Sequence, residues 1–119
     1  MKVLVCGSRN FYDWRSLEQE LKEHDITLII EGCASGADSL ARQWAIYNEI
    51  PYEEYPADWS NYGKAAGPLR NQQMLDKGDP ELVIAFMSPN SRGTRHMVEI
   101  AKKAGIPTKI VLIGENPHK

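Results

Sequence analysis

The chain has 119 residues, of which 42% are hydrophobic and 25% charged, and its formal net charge is −2. This suits one compact soluble domain and gives no support for sequence-independent binding to duplex nucleic acid, which requires a basic excess. No apolar run approaches the roughly 20 residues that span a bilayer, so we expect a cytoplasmic protein without a membrane partner.

The first half of the chain predicts two strand–helix pairs. Lys2–Cys6 is a short apolar run bounded by glycine, as expected of a strand buried on both faces. Helical spacing follows, and Asp13 is placed to cap the first helix through its carboxylate. The branched run Ile26–Ile30 predicts the second strand, and apolar residues at helical spacing from Leu40 to Tyr47 predict the second helix.

The second half continues this alternation. Tyr52–Tyr55 is the most charged of the predicted strands and is therefore expected near a sheet edge. Residues 56–66 show no clear period and predict a loop, after which Pro68 should occupy the first position of a third helix. The remaining elements are a central strand, a fourth helix with a glycine C-cap and a final strand, at Leu82–Phe86, 94–104 and Thr108–Ile113.

Strands and helices therefore alternate throughout, which favours a parallel sheet covered by helices on both faces. We predict an α/β fold, a Rossmann-like three-layer sandwich with a mostly parallel five-stranded sheet. Residues 1–114 are interpreted as one ligand-binding domain and residues 115–119 as a tail. In such sheets ligands bind outside the carboxyl ends of the strands, near the point where the strand order reverses.

Three loops at predicted strand ends are rich in small residues, and two of them lead into helices. The N–H groups of a helix N-terminus lack intrahelical acceptors and favour phosphate. The candidate ligand-binding residues of the three loops are Gly7, Ser8 and Arg9, then Gly32, Ser35, Gly36 and Asp38, then Gly93 and Thr94.

Larger polar and aromatic side chains extend this candidate site. Arg9 and Arg70 are both expected at the ligand edge, where a guanidinium suits phosphate or carboxylate; a surface ion pair is the alternative for each. Asn71 is a candidate for reading a base or a ribose hydroxyl, or for forming a local turn. Three aromatic residues in predicted loops are candidates for stacking on a base, although core or interface packing is their more frequent fate: Phe11, Trp59 and Tyr62.

Two cysteines, Cys6 and Cys33, show neither CxxC spacing nor paired histidines for zinc. We therefore expect no metal and no cofactor. Both residues are interpreted as free thiols of a cytosolic protein.

The motifs together resemble the YspA-type branch of the SLOG superfamily, which also contains the LOG cytokinin-activating phosphoribohydrolases and the DprA DNA-processing proteins. The resemblance covers nearly the whole chain, to about Ile113. It implies a Rossmann-like fold with a nucleotide-ligand pocket, often in a dimer. The segments that carry it are Gly7–Phe11, Gly32–Asp38, Ala66–Met74 and Gly93–Thr94.

The LOG catalytic motif is matched only in part. Arg70 resembles the helix arginine of the LOG enzymes, and Gly93-Thr94 resembles the Gly-Thr of their phosphate loop. Their glutamate, however, is replaced here by Met97, which can neither donate nor accept a proton. Asp38, or else Glu31, is then the candidate catalytic carboxylate; for Asp38, ribose binding and capping of the following helix are the alternatives.

Three functions stay open on this sequence. The first is a sensor, carrier or sequestering module for a phosphate-bearing nucleotide or nucleotide-derived small molecule, in a homodimer with Trp59 and Tyr62 as interface candidates. The second is a LOG-like nucleoside 5′-monophosphate N-glycosidase that uses Asp38, although we expect hydrolysis to be slow or absent. The third, single-stranded nucleic-acid binding, is disfavoured by the near-neutral charge and small size.

Overall fold

The computed structural model describes residues 1–113; the expected tail at residues 115–119 lies outside this range. Its five strands form one sheet in the order β3-β2-β1-β4-β5, and all four neighbouring pairs are parallel. The predicted α/β, Rossmann-like architecture is confirmed. The strands are β1 Lys2–Gly7, β2 Leu28–Glu31, β3 Tyr52–Glu54, β4 Leu82–Met87 and β5 Thr108–Leu112.

Helices lie on both faces of the sheet and connect successive strands. They are α1 Trp14–Leu21, α2 Ala37–Tyr47, α3 Trp59–Tyr62, α4 Ala66–Gly78 and α5 Arg92–Lys103. In the described range, no helix combines the length and apolar character that a membrane crossing requires.

The sheet separates two apolar cores, because side chains alternate between the faces of a strand. Val3 and Val5 of β1 pack with the buried residues of α1 and α2. Leu4 and Cys6 of the same strand pack with those of α4 and α5. β1 and β4 are buried along most of their length, whereas β3 is exposed, as expected of the edge strand.

Residues 56–66 are not a loop throughout, so that prediction is wrong in part. Asp58 caps α3, its side chain accepting a hydrogen bond from the N–H of Asn61, and the 3₁₀ turn Gly63–Ala65 then leads into α4. Elements of three or four residues are too short to show a period. Because α4 begins at Ala66, Pro68 is its third residue and not its first.

The capping prediction for the first helix is confirmed. The Asp13 side chain accepts hydrogen bonds from the N–H of Ser16 at 3.1 Å and from its hydroxyl at 2.7 Å. Phe11, a stacking candidate, instead packs in the core, where its ring stacks on that of Phe86 with a centroid distance of 4.8 Å.

Candidate ligand-binding site

A cavity of about 790 Å³ opens at the carboxyl edge of the sheet and is lined by the loops that follow β1 and β4. The strand order runs from β1 through β2 to β3 on one side and through β4 to β5 on the other. The order therefore reverses between β1 and β4, which is where open α/β sheets bind ligands. We call this space the switch-point cavity; its volume is in the range of small-molecule pockets, roughly 300–1,000 Å³.

Most of the predicted ligand-binding residues line the switch-point cavity: Gly7, Ser8, Arg9, Asp38, Arg70, Asn71, Gly93 and Thr94. Gly32 and Ser35 instead line a neighbouring space of about 370 Å³, the side cavity, which shares Arg9 and Arg70 with the first. Gly36 is not among the residues lining either space and is buried beneath the first loop.

Gly36 serves the packing of two loops. Its φ of +78° is a conformation that side-chain-bearing residues rarely adopt. A Cβ at this position would lie 2.6 Å from the carbonyl oxygen of Arg9 and would also collide with that of Ser8. The next N–H, that of Ala37, donates to the Ser8 carbonyl at 3.2 Å. The start of α2 is thus held against the β1–α1 loop.

Asp38 holds the β2–α2 loop from within. Its Oδ2 accepts hydrogen bonds from the N–H of Gly32 at 3.0 Å and of Ala34 at 3.3 Å. The N-cap of α2 is Gly36, so the expected capping of that helix by Asp38 is wrong. The carboxylate caps loop amides that precede the helix. The second loop therefore supplies its own anion to two of its N–H groups.

The pKa of Asp38 reflects opposing influences. Burial raises it to about 6, whereas the hydrogen bond from Ala34, the charge of Arg70, the hydrogen bond from Gly32 and the charge of Arg9 all lower it. The side chain is therefore mostly ionised at neutral pH. Asp38 carries the one carboxyl group among the described residues that line the switch-point cavity. Three arginines, Arg9, Arg70 and Arg92, line the same cavity.

Arg70 connects α4 to the second loop. Its NH1 group donates to the carbonyl oxygen of Gly32, and its Nε donates to Oδ1 of Asn71 at 3.1 Å. A guanidinium has five N–H donors, so three remain for a ligand after these two contacts. The side chain is half-buried, and these two hydrogen bonds tie it to the fold.

Asn71 connects α4 to the start of α5. Its Nδ2 donates to the carbonyl oxygen of Gly93 at 3.2 Å and lies 3.1 Å from Nδ1 of His96. The side chain is buried within a helix, so it does not form a local turn. Both amide hydrogens and one lone pair of Oδ1 are engaged inside the chain, which leaves little for reading a base.

The third loop presents the first turn of α5 to the switch-point cavity. Ser91 is the N-cap, but its hydroxyl lies 2.7 Å from that of Ser88 and accepts from the Ser88 N–H at 3.2 Å. It makes no cap hydrogen bond to the described first turn of α5. Gly93 and Thr94, the second and third residues of α5, line the cavity.

Met97, at the position of the LOG glutamate, is 1% exposed and packs in the core between the sheet and α4 and α5. Glu99, two residues further along, is exposed. Neither residue is among those that line the switch-point cavity.

The two aromatic residues of α3 are half-exposed, Trp59 at 51% and Tyr62 at 56%. Trp59 lines the side cavity together with Arg9 and Arg70. Stacking on a base therefore stays a prediction for Trp59. Homodimerisation through α3 also stays a prediction, which a sedimentation mass near the 13.4 kDa of one chain would contradict.

A third space, of about 280 Å³, lies at the carboxyl ends of β2 and β3, and sequence reasoning did not identify it. Glu31, Cys33 and Glu54 line this acidic pocket. Glu31 and Glu54 are opposite one another in the register of the two parallel strands. Because they are far apart in the chain, only the strand pairing brings them together.

Comparison with known proteins extends the resemblance in the motifs. The chain matches the model of a family described as YspA, cpYpsA-related SLOG over residues 1–62, from β1 through α3. It is also similar to the gene 61 protein of Mycobacterium phage D29, with 39% identity over 127 aligned positions that cover 98% of each chain. The second match extends over α4 and the loop after β4, which complete the switch-point cavity.

Proposed function

The chain belongs to the YspA, cpYpsA-related SLOG family, and from this membership and the cavity geometry we propose that it binds a phosphate-bearing nucleotide or nucleotide-derived small molecule. Family membership by itself suggests a nucleotide-related ligand. We propose that the chain acts as a sensor, carrier or sequestering module. The observation that carries this proposal is the switch-point cavity, where three arginine side chains accompany the first turn of α5.

The helix N-termini support a phosphate position at α5. A helix N-terminus carries a partial positive charge and is stabilised by a nearby anion. α1 and α3 begin with the N-caps Asp13 and Asp58, and α2 has Asp38 in its first turn. Neither α4 nor α5 has an acidic N-cap or an acidic residue in its described first turn, but α5 begins with Arg92 and lines the switch-point cavity with that turn. A cation there is unfavourable unless a bound anion compensates it, and phosphate at a helix N-terminus is a recurrent arrangement.

The positions of the carboxyl groups favour binding over hydrolysis. Met97 replaces the LOG glutamate and is buried in the core. Asp38 reaches the switch-point cavity, but its Oδ2 is engaged by two loop amides. A general acid or base has to exchange a proton with the reacting group, and the loop hydrogen bonds restrain Asp38 from doing so.

N-glycosidase activity is the second candidate function, because one observation favours it. Asp38 has a pKa of about 6 and lines a cavity of suitable size. A perturbed carboxyl group in a cleft is a frequent property of catalytic acids and bases. Because loop hydrogen bonds hold Asp38, we favour ligand binding over N-glycosidase activity.

Two measurements test the proposal. Native mass spectrometry of protein purified without added nucleotide, followed by release of any bound molecule, identifies a co-purified ligand. Calorimetry with a panel of nucleoside monophosphates, cyclic nucleotides and ADP-ribose then compares the native chain with Arg92→Ala. Arg92 is exposed and lines the cavity, so its loss should weaken binding by roughly 10-fold or more, as for a charge-assisted phosphate contact.

Arg15→Ala is the matched control, because Arg15 is an exposed arginine on α1 that lines none of the three described cavities. It should bind the panel as the native chain does. If both substitutions weakened nucleotide binding equally, the effect of Arg92→Ala would reflect the net charge of the chain and not a contact in the cavity. No binding of any panel member, with no co-purified molecule, would overturn the proposal.

A further inference from the structure

The acidic pocket brings three potential metal ligands together. A carboxylate oxygen of Glu31, Sγ of Cys33 and a carboxylate oxygen of Glu54 lie within 4.8 Å of one another. Glu31 ends β2, Cys33 follows it in the β2–α2 loop, and Glu54 ends β3. The groups thus converge from two neighbouring strand ends and a loop.

The buried Glu31 carboxylate lacks a compensating partner. The residue is 0% exposed. Its Oε1 accepts a hydrogen bond from the N–H of Cys33 at 2.6 Å, whereas Oε2 has no hydrogen-bond partner among the described residues. Burying a carboxylate oxygen without a partner is costly, so this group requires a positive charge or a proton nearby.

The arginine of the acidic pocket does not meet this requirement. Arg42 lines the pocket, and its Nε lies 3.6 Å from Oε2 of Glu54. Both of these side chains are about 40% exposed, at 38% and 41%. Solvent therefore screens their pairing, and the Glu31 oxygen is left without a partner.

We propose that Glu31, Cys33 and Glu54 bind a divalent metal ion, with zinc as the best match to their chemistry. Zinc accepts both cysteine sulfur and carboxylate oxygen as ligands. Magnesium and calcium prefer oxygen alone, so the thiolate argues against them. With three protein ligands, a fourth position of a tetrahedral site is left for water.

A shared proton is the competing explanation. A protonated Glu31 could donate to the Glu54 carboxylate, and burial with these acidic neighbours raises the pKa of Glu31 to about 8. The proton and the metal compete for the same oxygens. Metal binding would also displace the proton of the Cys33 thiol. This residue is exposed, and its pKa is raised to about 11 by partial desolvation and then by the nearby carboxylates.

A second acidic cluster serves as an internal reference. Glu20, Glu23 and His24 also lie within reach of one another. Lys109 occupies that cluster, with Nζ 2.8 Å from Glu20 and 3.8 Å from Glu23. The positive charge needed there is supplied by the chain itself, so we expect no metal at this position.

Cobalt provides the test, because its complexes with thiolate show a sulfur-to-metal charge-transfer absorption. Titration of the reduced, metal-free full chain with Co²⁺ should give that absorption with one ion per chain, and added Zn²⁺ should abolish it. Cys33→Ser should remove the absorption. Glu31→Gln and Glu54→Gln should each weaken zinc binding by about 100-fold or more, since even loss of an outer partner typically costs roughly 10–100-fold.

Matched controls separate this site from other metal binding. Glu53→Gln changes an exposed neighbour on β3, and Cys6→Ala removes the other cysteine; both should retain the absorption and the affinity. Circular dichroism checks that each variant is folded, and the half-exposed Glu54→Gln provides the decisive comparison if a buried variant fails to fold. An absent charge-transfer band, or zinc affinity that falls in His24→Ala but not in Glu54→Gln, would overturn the proposal.

Discussion

Two buried carboxyl groups at the same edge of the sheet have opposite surroundings. Asp38 accepts two backbone hydrogen bonds and lies near Arg70 and Arg9. Glu31 accepts one and lies near Asp38 and Glu54. The pKa is raised to about 6 in the first and to about 8 in the second.

This contrast shows what decides the charge of a buried acid. Burial raises the pKa of both groups, so burial alone does not distinguish them. The two pKa values differ because the groups have different numbers of N–H donors and neighbouring charges of opposite sign. At neutral pH the Asp38 carboxylate is an anion held inside the chain, at the wall of the switch-point cavity. Glu31 is largely protonated, or compensated by a cation. Four predictions test this distinction, beginning with the largest effect.

If Asp38 is held by the loop, the chain should cleave nucleoside monophosphates slowly or not at all. Loss of a general acid or base typically costs ~10²–10⁴-fold in rate, and Met97 supplies none in place of the LOG glutamate. Chromatography of the protein incubated with a panel of nucleoside monophosphates detects any free base. Multiple turnovers that Asp38→Asn abolishes would show that Asp38 is catalytic and would break the comparison.

Arg70→Ala should act on both the ligand and the fold. It removes a charge-assisted contact from the switch-point cavity, so nucleotide binding should weaken by about 1.5–3 kcal/mol. It also removes the hydrogen bond to the Gly32 carbonyl, so the free energy of unfolding should fall by about 1 kcal/mol. Calorimetry and urea unfolding measure the two effects.

Arg92→Ala separates them, since this exposed arginine lines the same cavity without a described side-chain hydrogen bond. It should lose affinity and keep the stability of the native chain. A drop in stability with unchanged nucleotide affinity in Arg70→Ala would assign that residue a structural role alone.

Glu31 should make stability depend on pH. Its pKa is raised to about 8 in the folded chain, above the usual value for glutamate. Protonated Glu31 therefore contributes its full stabilisation below the usual glutamate pKa of about 4.3, and this contribution is lost as the pH rises from there through 8. Metal-free protein should lose about 2 kcal/mol of unfolding free energy between roughly pH 6 and 8, at up to about 1.4 kcal/mol per pH unit.

Urea unfolding at a series of pH values, in the presence of a chelator, measures this dependence, and Glu31→Gln should remove most of it. Zinc should reverse its direction, because metal binding strengthens as the ligands lose their protons. A Glu31→Gln chain with the native pH dependence would show that another group titrates in this window.

The sequence predicts the fold well because each main strand and helix has a local pattern of apolar residues. Buried runs such as Lys2–Cys6 and helical spacing after Asp13 identify the main elements, and the rule for parallel sheets places strand-end loops at one edge. The switch-point cavity, with Arg9 and Arg70, follows from these two steps. The extent of α3 does not, since four residues show no period.

The individual roles in the site depend on tertiary geometry that the sequence does not display. In the sequence, Gly36 is interpreted as a phosphate-loop glycine. The structure shows instead that its backbone packs closely against the backbone of Ser8 and Arg9. Helix capping is a natural interpretation of Asp38, because no sequence pattern indicates that its Oδ2 accepts hydrogen bonds from the preceding loop. The pairing of Glu31 with Glu54 depends on the register of β2 and β3, which separated segments of the chain specify only once they are folded.

The smallest predicted effect isolates the contribution of one neighbour to the Glu31 pKa. Glu54→Gln removes a negative charge from the acidic pocket, so the pKa of Glu31 should fall and the pH dependence of stability should shift to lower pH. The shift should be modest, because burial is the main cause of the raised pKa and is unchanged. Glu54 is also 41% exposed and thus partly screened by solvent.

Glu53→Gln is the matched control, because successive side chains of a strand point to opposite faces and the Glu53 carboxylate accepts from the Tyr55 hydroxyl instead. The same urea series on the metal-free variants measures both shifts. An equal shift in the two variants would mean that Glu31 responds to the net charge of the strand end. A shift in Glu54→Gln alone would show a direct interaction between the two carboxyl groups, which is the geometry that a bound cation requires.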